Sequence, residues 1–161
     1  MAYYSDLSPY SYLASAVRHP ATRNVGWLAP GHDFPTAEPS AALLDALWRY
    51  CKVSIAQTRG LHACELCERG GTASRGERHG ETLLLGSSEI RVFSGGEVFA
   101  APTLLYHYVA AHYYAPPERF VRALADEPGP PSEAYFTQLT QLGLAWNTTS
   151  LSSRVTRKLW I

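Results

Sequence analysis

The amino-acid sequence predicts an α+β fold, a small antiparallel three-stranded sheet packed on helices, and three observations carry that expectation. Apolar residues recur at helical spacing from Ser40 to Cys51 and again from Leu104 to His112. Three short β-patterned runs, Leu83 to Leu85, Glu89 to Phe93 and Glu97 to Ala101, are separated by the turn formers Gly86-Ser87-Ser88 and Ser94-Gly95-Gly96. Two cysteines, Cys64 and Cys67, precede those runs with two residues between them, and two histidines, His107 and His112, follow with four between. That is zinc spacing, and a zinc knuckle would tie the loop before the sheet to the helix after it.

The chain has 161 residues and 46% hydrophobic content, enough for one ordinary core. It reads as a single zinc-binding domain over 1–161, with an irregular N-terminal segment (1–23) and a basic C-terminal tail (144–161) as appendages. Tyr10 to Val17 is the one N-terminal stretch suited to a short helix before His19-Pro20. Asn24 to Leu28 is a strand or an anchor, Pro30-Gly31-His32-Asp33 is a turn, and Trp27 and Phe34 read as core anchors. Ser40 is positioned to cap the helix that follows, with Leu43, Leu47 and Tyr50 on one stripe and Leu44, Trp48 and Cys51 beside it. Lys52 to Gly60 is a short strand or an irregular lead into the cysteine motif. Glu68 to Thr82 holds Gly70, Gly71, Gly76 and Gly80 among alternating charges, a composition that buries little and reads as a mobile loop or insertion. After the three strands, Pro102 is expected to open the histidine-bearing helix, which Ala115-Pro116-Pro117 stops. Two further helices are expected, Pro117 to Ala125 and Ser132 to Leu142, the second closed by Gly143. Arg154, Arg157 and Lys158 make the tail basic.

Fourteen basic and fourteen acidic residues balance, which removes any global electrostatic reason for a nucleic acid or anionic membrane partner. No 18-residue apolar run exists, and Met1 to Tyr12 lacks the basic and apolar regions of a signal peptide, so the reading is cytoplasmic with no membrane partner. Three cysteines suit a reducing compartment and a metal or thiol role. On the same reading, the Asn147-Thr148-Thr149 sequon goes unglycosylated.

Zinc takes four borderline ligands in a tetrahedron, and a Cys-x2-Cys turn aims two sulfurs at one point. The histidine pair is less regular, because residues five apart on a straight helix sit about 140° apart around its axis. Either the last helical turn loosens and brings His112 round, or one of the pair stays out and His62 takes the vacant position. Cys51 on its apolar stripe reads as a core residue. His19, His32 and His79 fall in loops. A thiol redox pair would need a βαβ context and a helix N-terminus at the cysteines, and neither is predicted. Glu65 inside the knuckle raises the possibility of a hydrolytic or deaminating centre. The deaminase signature nevertheless needs a His-x-Glu upstream, whereas His79-Gly80-Glu81 lies downstream, and no His-Glu-x-x-His occurs.

These motifs carry a resemblance. Gly60-Leu61-His62-Ala63-Cys64-Glu65-Leu66-Cys67 reads G-x-H-x-C-E-x-C, and Ala101-Pro102 through His107-Tyr108-Val109 and His112 to Pro116-Pro117 reads A-P-x-L-x-x-H-Y-V-x-x-H-x-Y-x-P-P. Together with Asn24 to Leu28, Gly31 to Thr36 and Glu89 to Val92, they resemble an uncharacterised bacterial family built on a domain of unknown function, over about Asn24 to Leu124. The resemblance implies a shared zinc-knuckle domain and no mechanism, with the Glu68 to Thr82 loop and the tail after Asp126 peculiar to this chain. It also directs attention to Arg59, Glu89, Arg91, His32, Asp33 and Thr36 as recognition candidates, against ordinary ion-paired or solvated roles.

The expected function is a zinc-stabilised, non-enzymatic interaction module binding a protein partner, of a regulatory or immunity type, with ten tyrosines and four tryptophans available for the contact. A metal-dependent hydrolase using Glu65 or His62 at an open zinc site is the alternative. Nucleic-acid binding through the basic tail is weaker still, given the neutral net charge.

Overall fold

The computed structural model describes residues 2–13, 19–67, 75–126 and 128–148. Among the described residues, seven strands and four helices follow one another as β1 (Thr22–Asn24), α1 (Ala41–Cys51), β2 (Val53–Ile55), β3 (Arg75–Arg78), β4 (Glu81–Leu84), β5 (Glu89–Ser94), β6 (Glu97–Pro102), α2 (Leu105–His112), α3 (Glu118–Asp126), α4 (Glu133–Gln141) and β7 (Trp146–Thr148). The class is α+β as expected, but the sheet is not a three-stranded meander. It is a five-stranded mixed sheet in the order β1-β6-β5-β2-β7, with a separate β3-β4 ribbon.

The β5-β6 hairpin stands where the turn chemistry placed it, in unbroken register from Glu89↔Pro102 to Ser94↔Glu97. Leu83 and Leu84 do not join it. They pair instead with Gly76 and Arg75 in the ribbon, whose two-residue turn, His79 and Gly80, has φ of 51° and 75°. Positive φ at both positions makes a turn whose twist matches a hairpin. The glycine-rich composition that suggests a loop here has a packing cause at Gly76, where a Cβ would fall 2.8 Å from the Trp48 ring and 3.1 Å from Tyr106. The residues of the expected loop at 68–74 lie outside the described chain.

Alternation along β6 sends Phe99 toward Phe120 of α3, ring centroids 5.7 Å apart, and Ala100 toward Tyr10 and Trp27 on the opposite face. The helical face also takes Leu47, Trp48, Tyr50 and Cys51 of α1, all buried, with Leu43 and Leu44 half-buried; Ser40 caps that helix by accepting from the Leu43 N–H at 3.1 Å. The other face is covered by the N-terminal segment, bridged Tyr4↔Trp27 and Pro9↔Arg23. Asp6 holds the segment down, accepting from the Gly26 N–H (2.9 Å) and the Tyr114 hydroxyl (2.7 Å). Trp27 is a core anchor as expected, while Phe34 is half-buried with its ring against Tyr114. Tyr10 to Leu13 are not helical, and the remainder of the expected Tyr10 to Val17 helix lies outside the described residues.

Pro102 ends β6 instead of opening a helix. Having no N–H to give, it suits a strand terminus, and the next residue is claimed by the β4-β5 turn, since Thr103 donates its N–H to Ser88 O at 2.9 Å and accepts the Gly86 N–H on Oγ1 at 3.1 Å. α2 therefore begins at Leu105. α4 keeps its expected cap, with Ser132 accepting from the Tyr135 N–H, and Gly143 leaves the helix at φ 68°. Within the segment read as a tail, Trp146–Thr148 pairs antiparallel with β2. Arg154, Arg157 and Lys158 lie outside the described residues.

Gly86 gives a direct test of how the cysteine segment docks on this framework. Its φ is 98°, and a Cβ there would stand 2.1 Å from the His62 carbonyl oxygen. Gly86→Ala is expected to cost at least about 2 kcal/mol from the left-handed strain and the backbone clash together. Urea denaturation measures it, and an unchanged midpoint would contradict this docking.

Candidate metal centre

Cys64 and Cys67 sit in a tight turn, and the segment leading into it is held against the body of the protein because the His62 N–H donates to Gly86 O at 2.8 Å. The turn folds so that the backbone amides of Leu66 and Cys67 hydrogen-bond the Cys64 sulfur. Such N–H donors hold a thiolate in place for a cation. The histidines come from the two ends of α2, His107 in its first turn and His112 as its last residue.

The mismatch of a five-residue spacing is resolved at the helix end. Tyr113 leaves α2 in the left-handed region at φ 57°, and both its N–H and that of Tyr114 donate to the carbonyl of Tyr108, further back than the four residues of an α-helix. The last turn widens, and the His107 and His112 rings converge to a centroid separation of 5.2 Å at 74°. Cys64 Sγ lies 3.4 Å from His112 Nε2, and Cys67 Sγ lies 3.3 Å from His107 Nε2 and 3.4 Å from His112 Nε2. All four ligand atoms fall within 4.8 Å of one another. Tetrahedral bonds of about 2.3 Å to sulfur and about 2.05 Å to nitrogen separate S from N by about 3.6 Å, so the four residues fit a metal of zinc's size with little adjustment.

Burial raises the Cys64 thiol to about 11 and lowers His107, where the neighbouring His112 adds to the effect. Tyr108 is raised too, first by burial and then by the nearby Cys64, Glu65 and Cys67. A bound divalent cation reverses the first of these, because a coordinated thiol loses its proton outright.

His62, the alternative ligand, is not in the cluster. No carboxylate joins the four ligand atoms among the described residues, and Glu65 is exposed. Cys51 is a core residue whose Sγ faces the Thr103 carbonyl at 3.7 Å. His79 is not idle in its loop; with Arg78 it contacts the Asp45 carboxylate, and those two partners lower the Asp45 pKa. His32 stacks on Tyr3 at 3.6 Å.

A family model described as Domain of unknown function (DUF7919) matches residues 2–125. The chain belongs to that family. The DUF7919 span contains Cys64, Cys67, His107 and His112, starts ahead of the Asn24 boundary of the motif resemblance, and stops within α3, leaving α4 and β7 beyond it. No curated protein and no solved structure matches the chain.

A second cluster of charge is buried. Glu89 and Arg91, two apart on β5 and therefore on one face, are 3% and 1% exposed, with Arg91 Nη2 3.3 Å from Glu89 Oε2. Tyr10 caps the pair, donating to both Glu89 oxygens at 2.9 and 3.0 Å while its ring lies 4.8 Å beneath the Arg91 guanidinium. Burial raises the Glu89 carboxyl, and Arg91 and the Tyr10 hydroxyl pull it back. The family resemblance directed attention to Glu89 and Arg91; Tyr10, seventy-nine residues from Glu89, carried no signal of its role.

Proposed function

We propose that this DUF7919 domain is a zinc-stapled, non-enzymatic interaction module. The observation that carries the reading is the donor set: two sulfurs and two imidazole nitrogens fill all four positions that zinc takes in a structural site, and no carboxylate stands among them. A closed site leaves no position for the water that a hydrolase needs. Zinc would join segments forty residues apart, and three free cysteines suit a reducing, cytoplasmic setting.

A protein partner is favoured by the apolar side chains left in water, Leu61, Tyr113 and Leu84, at 43%, 53% and 55% exposure. Leu61 lies three residues before Cys64 and Tyr113 directly follows His112, so zinc would fix the backbone that presents both. Tyrosine and leucine on a rigid backbone lose little entropy on binding. The regulatory or immunity-type role rests on this contact surface.

Protein purified without chelator is expected to contain one zinc per chain by elemental analysis, with X-ray absorption reporting two sulfurs and two nitrogens. His62→Ala should leave both unchanged. Zinc-free protein would sink the reading, and an additional oxygen ligand would favour the hydrolase, with Glu65 as its base.

A further inference from the structure

We infer that the β3-β4 ribbon is a flap, latched to α1 by surface charge, that opens while the rest of the fold stays closed and uncovers the Trp48–Tyr106 ring pair. The device goes beyond the metal centre and does not depend on it. Among the described residues the ribbon is a sheet of its own, paired with no strand of the five-stranded sheet. A two-stranded hairpin is marginal by itself in water, so the ribbon keeps its place through what it docks on. Of the four residues in each of its strands, only Gly76 and Leu83 are buried, and Gly76 brings no side chain. Leu83 is then the one apolar side chain that the two strands bury, whereas five of the six residues in β5 and in β6 are buried. An element with so little apolar burial opens at a fraction of the cost of global unfolding.

What closes the ribbon is polar, with one acid on each side of the contact. Asp45 of α1 accepts on Oδ1 from Arg78 Nε at 2.6 Å, and His79 Nε2 lies 2.7 Å from the same oxygen. Arg78 Nη2 also donates to Ala41 O at 3.2 Å. In the reverse sense, Glu81 of β4 accepts on Oε2 from Trp48 Nε1 at 3.1 Å and from Lys52 Nζ at 3.3 Å. The Asp45 and His79 side chains are 51% and 65% exposed, and ion pairs so open to water hold weakly. Beneath this latch Gly76 lies across Trp48 and Tyr106, whose rings are 5.0 Å apart and tilted by 60°. Both residues are buried with the ribbon down. Lifting it frees the Trp48 indole N–H and the Lys52 ammonium from Glu81 and bares the ring pair. The position of the ribbon thus decides whether this aromatic surface is covered or meets solvent.

Native-state hydrogen exchange of the full-length protein, followed by NMR in sub-denaturing urea, tests the flap. The Trp48 indole N–H and the ladder amides of β3 and β4 are expected to show protection factors at least about a hundredfold below those of β5 and β6. Their exchange should depend little on urea, because a local opening exposes little surface. Asp45→Asn combined with Glu81→Gln removes both latch charges and keeps the side-chain shapes. That variant should speed exchange of the ribbon amides and the Trp48 indole N–H by about threefold to thirtyfold, the range for two exposed ion-pair contacts, and leave β5 and β6 unchanged. Glu77→Gln, which removes an exposed acid of β3 outside the latch, should alter neither. Ribbon amides sharing the protection and urea dependence of β5 and β6 would show that the ribbon opens only with the whole fold. A paired variant that fails to fold, that speeds β5 and β6 equally, or that leaves ribbon exchange at the wild-type rate would overturn the latch, as would an equal acceleration by Glu77→Gln.

Discussion

Cys64→Ser is expected to unfold the protein at ordinary temperatures. A structural zinc site contributes on the order of 10 kcal/mol to folding, and a domain's whole stability is about 5–15 kcal/mol, so a ligand loss that releases the metal removes most of what holds the chain. The position of the site sharpens the expectation. Cys64 is buried in the main core, and the segment leading to it is tied to the β4-β5 turn by the His62–Gly86 backbone bond and the Thr58 bonds to Ser87. Serine at 64 also loses the packing of a buried sulfur, a smaller effect of about 1–2 kcal/mol. Chelation of the wild-type protein separates the two, because it removes the metal and leaves the sulfur. Circular dichroism melts of the variant, the chelated wild type and Cys67→Ser should all show the same collapse. Melting of Cys64→Ser within a few degrees of the zinc-loaded wild type would show that the four side chains hold no structural metal.

How much of this was legible in the sequence depended on whether each signal was local. Ser40, the α1 stripe and the Ser94-Gly95-Gly96 turn between β5 and β6 are local chemistry, and each stands in the structure as read. That Cys64, Cys67, His107 and His112 come together was legible because residue types able to hold a metal are few and conspicuous in spacing. That His112 rather than His62 completes the cluster was decided by the left-handed Tyr113, a conformation its identity does not announce. The sheet was read too small because β1, β2 and β7 are three residues each, too short for an alternation to register, and their pairing is set by tertiary contact. The β3-β4 ribbon was missed for a different reason. Gly76 and Gly80 look like loop residues, yet one makes room for Trp48 and Tyr106 and the other takes the positive φ of a hairpin turn.

Arg91→Met is expected to cost about 3–5 kcal/mol at neutral pH, the penalty for leaving a buried carboxylate without its counter-charge. Methionine keeps the length and apolar stem of arginine, so the loss isolates the charge from the packing. In the wild type Glu89 keeps its proton to higher pH folded than unfolded. The folded state therefore binds more protons in the window above the ordinary carboxylate range, and the slope of stability with pH is negative there. The contribution of Glu89 is complete below that range and is lost as pH rises through its folded value. Removing Arg91 removes a group that pulls the folded value down, so the window widens upward and the deficit of the variant grows with pH. Urea midpoints should thus differ most between variant and wild type at neutral pH and converge as the pH falls, since a protonated Glu89 needs no partner. Release of any metal held by Cys64, Cys67, His107 and His112 on acidification would affect both proteins alike and cancel in the difference. Arg91→Met combined with Glu89→Gln should recover most of the stability at neutral pH and lose the pH dependence, since a neutral amide can still accept the Tyr10 hydroxyl proton. A deficit that stays constant from pH 7 to pH 5 would mean that Arg91 contributes by packing over the Tyr10 ring and onto the Ile90 carbonyl, with no charge to balance.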